Sequence, residues 1–384
     1  MSAAMSAASR AGSGLRRVAL GVVLFGVLAT GCAGAAESAP DGPRASTVTP
    51  TAPTPASAAT PAGTLLVADF DADTVTFVDP ARGPVGSVRV GTAPYGLVVG
   101  KDGRAWVATA EGVALVDTRT RTSLGRIPYR TKADGPATMG EYRAGGMGIA
   151  LAPDGSRVYV GVNVPGGRGV LEVIDARARK VVDSVAVGRR PFDVDVSADG
   201  REVYATGHDS YDVTAVRTDT LRARRMEVAP YGTEGGLGSW LKPHYAAVRP
   251  SDGRLLLPFE GERLAVLDPR TGRVTVEPMT ANTHQHGTAL TPDGTLLVVG
   301  TGPVTGDDDE ASLTIRTPSG AERVVPLDGP HEDVTVSRDG RTAYVTGGFT
   351  REGGWDGITA VDLDSGSTRK LPAGVRPLGV AVLG

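Results

Sequence analysis

The stretch Asn282-Thr283-His284-Gln285-His286-Gly287 places two of the chain's five histidines two positions apart. On an extended segment, side chains two apart face the same side, so His284 and His286 have the geometry of a two-pronged ligand. His208, His244 and His331 stand elsewhere in the sequence, and Glu332 directly follows His331. Neutral imidazoles joined by a carboxylate make a donor set for Zn, Cu or Fe. A fold that gathers these segments would make His244, His286 and His331 the ligands. Glu332 would then ligate or orient, with His284, His208 and Glu260 nearby. Two other uses stay open: direct contact with a ligand without metal, and hydrogen bonds from the rings to loop carbonyls. No Gly-rich phosphate loop, Gly-x-Ser-x-Gly elbow or second cysteine is present, so nucleotide use and serine or thiol hydrolysis have no sequence support.

The elements that must position these residues are short strands. With 53 Gly and 27 Pro in 384 residues, the composition suits many strands and turns and lacks the long Leu-rich runs of a helical protein. An Asp-Gly turn recurs at Asp102-Gly103, Asp154-Gly155, Asp199-Gly200, Asp252-Gly253, Asp293-Gly294 and Asp339-Gly340, at spacings of 52, 45, 53, 41 and 46 residues. Short alternating apolar runs flank each turn, which is a β-hairpin signal. A third run ending in Asp follows, as in Thr76-Phe-Val-Asp79 and Glu172-Val-Ile-Asp175, and then a Val-rich fourth. Four strands per unit of about 45 residues is the period of propeller blades. The expected fold is therefore all-β: a seven-bladed β-propeller over residues 63–384 with four-stranded antiparallel blades. The last run, Val375-Arg-Pro-Leu-Gly-Val-Ala-Val-Leu-Gly384, supplies an innermost strand, and Thr64-Leu-Leu-Val-Ala-Asp69 starts as a second strand lacking a first. Pairing of these N- and C-terminal strands closes the ring and removes an open edge.

The segments 190–207, "RPFDVDVSADGREVYATG", and 329–348, "GPHEDVTVSRDGRTAYVTGG", resemble the YVTN-type β-propeller repeat of bacterial extracytoplasmic proteins. They are also similar to propellers of lactonase-like and nitrite or nitrous-oxide reductase proteins. The resemblance covers the whole folded region and implies architecture more than activity, because propellers carry unrelated chemistries. In such blades the loops opposite the Asp-Gly hairpins usually form the ligand face. Aligned on the Asp-Gly turns, with one extra residue before Asp252, the units place Tyr95, Met147, Phe192, His244, His286, Glu332 and Leu378 where the innermost strands begin. All five histidines fall on that same face. Tyr95, Phe192, Trp240 and Trp355 are candidate ligand contacts there, with Tyr142 and Tyr231 beside them. The Gly-rich insertions 130–145 and 231–242 read as rims of a binding site. Asp307-Asp308-Asp309-Glu310 reads as a solvated acidic loop rather than a Ca²⁺ site, since no Gly-punctuated oxygen-ligand loop surrounds it.

Ahead of the repeat, Arg10, Arg16 and Arg17 precede the apolar run from Val18 to Leu28, which has the length of a signal-peptide core. The run ends in Leu28-Ala29-Thr30-Gly31-Cys32, which resembles a bacterial lipobox. Cys32 is the only cysteine, which excludes an intramolecular disulfide and implies lipidation as its use. Residues 1–32 thus read as a lipoprotein signal peptide. Residues 33–62, almost all Ala, Pro, Thr and Ser, read as an extended tether. Expected localisation is the outer face of the cytoplasmic membrane, in the cell envelope. A net charge of −3 without a basic block past residue 20 gives little support to nucleic-acid binding. The expectation is a monomeric, lipid-anchored module that binds a small molecule or envelope protein through its His- and aromatic-rich face. The alternative is a metal-dependent enzyme, an oxidoreductase or lactonase-like hydrolase, built on the His cluster.

Overall fold

The computed structural model describes residues 62–135, 143–228, 242–283, 286–303, 310–348 and 354–384. Seven four-stranded antiparallel sheets form a β-propeller. From the axis outward, blade 1 is Pro377–Val382, Leu65–Asp69, Thr74–Asp79 and Gly83–Arg89. Blade 2 is Leu97–Val99, Arg104–Ala108, Gly112–Asp117 and Thr122–Pro128. Blade 3 is Gly145–Leu151, Arg157–Asn163, Val170–Asp175 and Lys180–Ala186. Blade 4 is Pro191–Val196, Glu202–Gly207, Asp212–Arg217 and Ala223–Glu227. Blade 5 is Ala247–Val248, Leu255–Phe259, Arg263–Asp268 and Arg273–Pro278. Blade 6 is Thr288–Leu290, Leu296–Thr301, Ala311–Arg316 and Glu322–Pro326. Blade 7 is Val334–Val336, Thr342–Thr346, Gly357–Asp362 and Thr368–Pro372.

The repeated turn residues act locally. In each Asp-Gly hairpin the Asp side chain accepts from the backbone N–H two residues on, as from Arg104 at 3.1 Å, Ser156 at 2.9 Å and Arg341 at 3.2 Å. The following glycine sits at positive φ, +77° at Gly103 and +72° at Gly155, where a β-carbon would be strained. The acids ending the third strands do the same work, Asp117 accepting from Arg119 and Asp175 from Arg177. In blade 5 the hairpin is one residue longer, with Gly253 N–H bonded to Arg249 O. That is the extra residue the spacing requires before Asp252, and it keeps His244 in line with the other blades.

The core lies between blades. Seven clusters of buried apolar side chains fill the seven inter-blade seams, for example Trp106, Val113 and Leu115 of blade 2 against Val158, Val160 and Ile174 of blade 3. Second and third strands are buried on both faces and read as near-continuous apolar runs, whereas fourth strands such as Arg273–Pro278 are largely exposed. Closure follows the expected pairing: Leu65 opposes Val382 and Val67 opposes Val380, so the first strand of the sequence lies between the last strand and Thr74–Asp79. Gly63 and Leu383 bond across the place that an Asp-Gly hairpin fills in the other six blades.

Candidate functional site

Opposite the Asp-Gly hairpins, each innermost strand is preceded or begun by a buried residue: Tyr95, Met147, Phe192, His244, His286, Glu332 and Leu378 are all at most 7% exposed. The residue after each is Gly in four blades, Asp in two and Tyr245 in one. Glycine is needed because neighbouring blades touch there. A β-carbon on Gly148 would lie 2.5 Å from Asp193 Cα, and one on Gly379 would lie 2.4 Å from Tyr95 O. This close approach brings the seven residues into one hub.

Half of the hub is apolar. Tyr95, Met147, Phe192 and Leu378 pack with Phe70, Ala93 and Tyr245. The rings meet edge to face, with Tyr95 and Phe192 centroids 5.7 Å apart and Phe192 and Tyr245 5.2 Å apart. Phe70 occupies the place just past a second strand that His208 takes in blade 4 and Glu260 in blade 5. The Tyr95 hydroxyl reaches across from blade 2 and donates to Glu332 Oε1 of blade 7 at 3.0 Å. Burial pushes the Tyr245 hydroxyl well above its ordinary range, so it stays neutral.

The four described histidines divide into two pairs. His208, 1% exposed, sits in a short turn after the second strand of blade 4. Its Nδ1 lies 2.8 Å from Asp209 Oδ1 and 3.4 Å from an Arg190 nitrogen. Arg190 is donor-only and Asp209 is an acceptor, so the closer carboxylate fixes the proton on Nδ1. Asp209 also pairs with Arg190 at 2.9 Å and Lys242 at 3.4 Å. Burial pushes this carboxyl upward, but the hydrogen bond from His208 and the charges of His208, Arg190 and Lys242 outweigh it and bring its pKa down to about 2. Burial lowers the His208 pKa to about 4, against the opposing pull of Asp209, so the ring is neutral at pH 7. Its Nε2 is buried and has no hydrogen-bond partner. The His244 ring packs edge-on at 4.4 Å from His208 and 5.1 Å from Phe192.

His286 and His331 form the other pair. His286 Nδ1 donates to the His331 carbonyl at 2.7 Å. His331 Nδ1 donates to the Gly329 carbonyl at 2.7 Å, which leaves Nε2 to accept from the Thr359 hydroxyl at 2.7 Å. Both ring nitrogens of His331 are thereby used inside the protein, and burial holds its pKa at about 4. Among the described residues no three His, Cys, Asp or Glu side chains are grouped to hold a metal ion. His244, His286 and His331 are therefore not brought together as a ligand set with Glu332. His331 has no lone pair to offer, and His244 faces His208 instead. His284, expected beside that set, lies outside the described residues.

Trp355 lies over blade 7, where added β-carbons on Gly347 and Gly357 would strike its ring. Lys370 caps the ring at 4.9 Å and His331 meets it edge-on at 6.3 Å. Glu260 is buried at the end of the second strand of blade 5. His284, Trp240, Tyr142, Tyr231, Asp307 to Asp309 and the whole of residues 1–61, Cys32 included, lie outside the described residues, as do 136–142 of the first insertion and 231–241 of the second.

Four residues of the hub were not singled out by the sequence: Phe70, Tyr245, Asp209 and Arg143. Arg143 belongs to the 130–145 insertion and is fully buried. Its Nη1 donates to Ala144 O at 3.2 Å, its Nη2 donates to Gly146 O, and its guanidinium lies 5.8 Å over the Tyr95 ring. Three carboxyls stand on or just before innermost strands. Burial pushes Asp193 up to about 6 and Asp333 up to about 7, and burial with the Asp193 charge pushes Asp195 well above its usual range. Asp193 accepts from Ala246 N–H of blade 5 at 2.9 Å and Asp333 from Val380 N–H of blade 1 at 3.4 Å, so each ties its blade to the next.

No protein-family model matches the chain, and no curated protein matches it. Its fold is similar to several solved structures. The periplasmic gluconolactonase of Pseudomonas aeruginosa has a TM-score of 0.60 and 18% identity, over 84% of this chain and 99% of that one. A functionally unknown protein from Desulfotomaculum acetoxidans has a TM-score of 0.63 and 10% identity, over 84% and 99%. Hydrazine synthase of Kuenenia stuttgartiensis has a TM-score of 0.60 and 18% identity, over 74% and 88%. The chain is a seven-bladed β-propeller. At these identities the likeness is one of fold, and the site must be argued from its own residues.

Proposed function

We propose that the protein is a ligand-binding module of the cell envelope, held to the membrane by a lipid on Cys32, which takes a small polar molecule at the hub of its loop face. The observation that carries this reading is His208: a neutral imidazole, 1% exposed, fixed in the Nδ1–H form by Asp209, with Nε2 lacking a partner. A buried acceptor left unsatisfied costs about 1–3 kcal/mol, and an O–H or N–H from a ligand restores it. The surrounding wall of Phe192, Tyr95 and Tyr245 supplies apolar contact, and a few convergent polar groups supply direction, as small-molecule sites require. Support for the anchor is the lipobox-like Leu28-Ala29-Thr30-Gly31-Cys32 and the Pro-rich segment after it.

The same Asp–His pair would orient a general base, which is the observation favouring the enzymatic alternative. A pKa of about 4 makes His208 a weak base near neutrality, so binding ranks ahead of catalysis. A thermal-shift series on the full chain tests the reading. It would use neutral sugars, amino acids and D-glucono-1,5-lactone, the last suggested by the gluconolactonase neighbour. A binder should raise Tm in the wild type and fail to do so in His208→Phe. Shifts shared equally by both proteins, or none across the series, would sink it.

A further inference from the structure

Arg143 contradicts the usual treatment of buried charge. It is 0% exposed, and its Nε is buried without a hydrogen-bond partner. No Asp or Glu of the described residues lies within ion-pair distance of it; its direct partners are two backbone carbonyls and the face of Tyr95. Burial lowers its pKa to about 10, which still leaves the guanidinium charged at pH 7. Clamping Ala144 O and Gly146 O explains two of its five N–H donors, and does not explain a charge. An unpaired buried cation is costly, and a neutral side chain of the same length would avoid that cost.

We propose that the ligand of the hub is a small carboxylate whose negative charge Arg143 takes. This rests on the reading of the loop face as a binding site. A positive charge without an Asp or Glu ion-pair partner among the described residues matches one carboxylate. A phosphate dianion would need a second cation or a cluster of backbone N–H groups, and Arg190 and Lys242 of the histidine side pair with Asp209. The free Nε–H and the unused hydrogens of the Nη groups form the planar fork that accepts a carboxylate through two parallel bonds. Tyr95 connects this cation to the rest of the hub, since its ring lies under Arg143 and edge-on to Phe192, which in turn borders His208.

The test is the melting of the full chain at fixed ionic strength as sodium chloride is replaced by acetate, glycolate, gluconate or phosphate, in the wild type, Arg143→Met and Arg143→Lys. The organic anions should stabilise the wild type with an apparent Kd at least tenfold tighter than for Arg143→Met, and phosphate should not exceed acetate. Arg143→Lys, which keeps the charge and loses the fork, should fall between them and covers the case in which Arg143→Met does not fold. Stabilisation that is absent from the wild type, or unchanged by loss of Arg143, overturns the proposal, as does a preference for phosphate. If neutral D-glucono-1,5-lactone stabilises in a His208-dependent way while the carboxylates ignore Arg143, the anion inference fails and the binding site stands. If neither acts, both fail.

Discussion

Asp209→Asn removes the one charge that organises the histidine side of the hub while keeping its shape. In the wild type this carboxyl fixes the His208 tautomer and pairs with both Arg190 and Lys242, all with side chains less than 20% exposed. Its pKa falls from 3.8 to about 2. At about 1.4 kcal/mol per unit, that is about 2 kcal/mol of preference for the ionised form in the folded state. The folded value lies below the unfolded one, so this stabilisation is fully present above about pH 4 and is lost as pH falls toward 2. Asp209→Asn should therefore lower Tm by about 4 °C at pH 7 in a domain of this size, and the difference should close as pH falls to about 2. The amide can donate as well as accept, so the proton of His208 is no longer confined to Nδ1. Long-range proton–nitrogen spectra, which separate a bare ring nitrogen from a protonated one, should show this mixing at His208 and none at His331. A variant that melts with the wild type at pH 7, or keeps His208 wholly in the Nδ1–H form, would refute the account of the pair.

Three further outcomes follow from the geometry. Gly148→Ala should cost at least about 2 kcal/mol in denaturant unfolding, because its new carbon meets Asp193 backbone at 2.5 Å; Gly155→Ala, at positive φ with nothing within 4 Å, should cost only about 1 kcal/mol. Asp333, whose folded pKa is about 7, has its neutral form favoured by folding, so its contribution is present below about pH 4 and lost as pH rises through 7; Asp333→Asn should flatten the decline of Tm between pH 5 and 8, and an equal decline would contradict the burial of that carboxyl. Cys32→Ser should move the protein from the membrane fraction to the soluble exported fraction and abolish labelling by a radioactive fatty acid, whereas retention in the membrane would remove the anchor from the proposal.

The architecture was legible because one local rule repeats. Each Asp-Gly pair needs a side-chain acceptor and a positive-φ glycine, and those are residue types visible without coordinates. Closure was legible for the same reason: counting strands left one missing at the start and one spare at the end. Even the long hairpin of blade 5 was visible as a spacing of eight between His244 and Asp252 where other blades have seven. The ring of first-strand residues followed from that count. What it could not supply was how each imidazole is spent. His331 becomes a structural hydrogen-bond bridge because Gly329 O and Thr359 Oγ1 both reach it, and neither contact has a sequence signature. Arg143 and Tyr245 were hidden for a different reason. Tyr245 stands where other blades have Gly or Asp, and Arg143 sits at the edge of an irregular insertion, so no repeat partner marks either of them. Asp209 had a fair signal that went unused, since an acid beside a histidine is the simplest way to set its tautomer.

The closure of the ring also decides how the domain bears load. The chain before Gly63 runs into Leu65–Asp69, which is bonded to Pro377–Val382 on one side and Thr74–Asp79 on the other. A pull on that leader acts along this strand, in shear against two antiparallel ladders whose bonds must yield together rather than one at a time. The point of traction also lies among the Asp-Gly hairpins, on the side away from His208 and Arg143. Tension on the chain before Gly63 is thus carried by a strand of blade 1 that is paired on both sides and spares the loops of the opposite face.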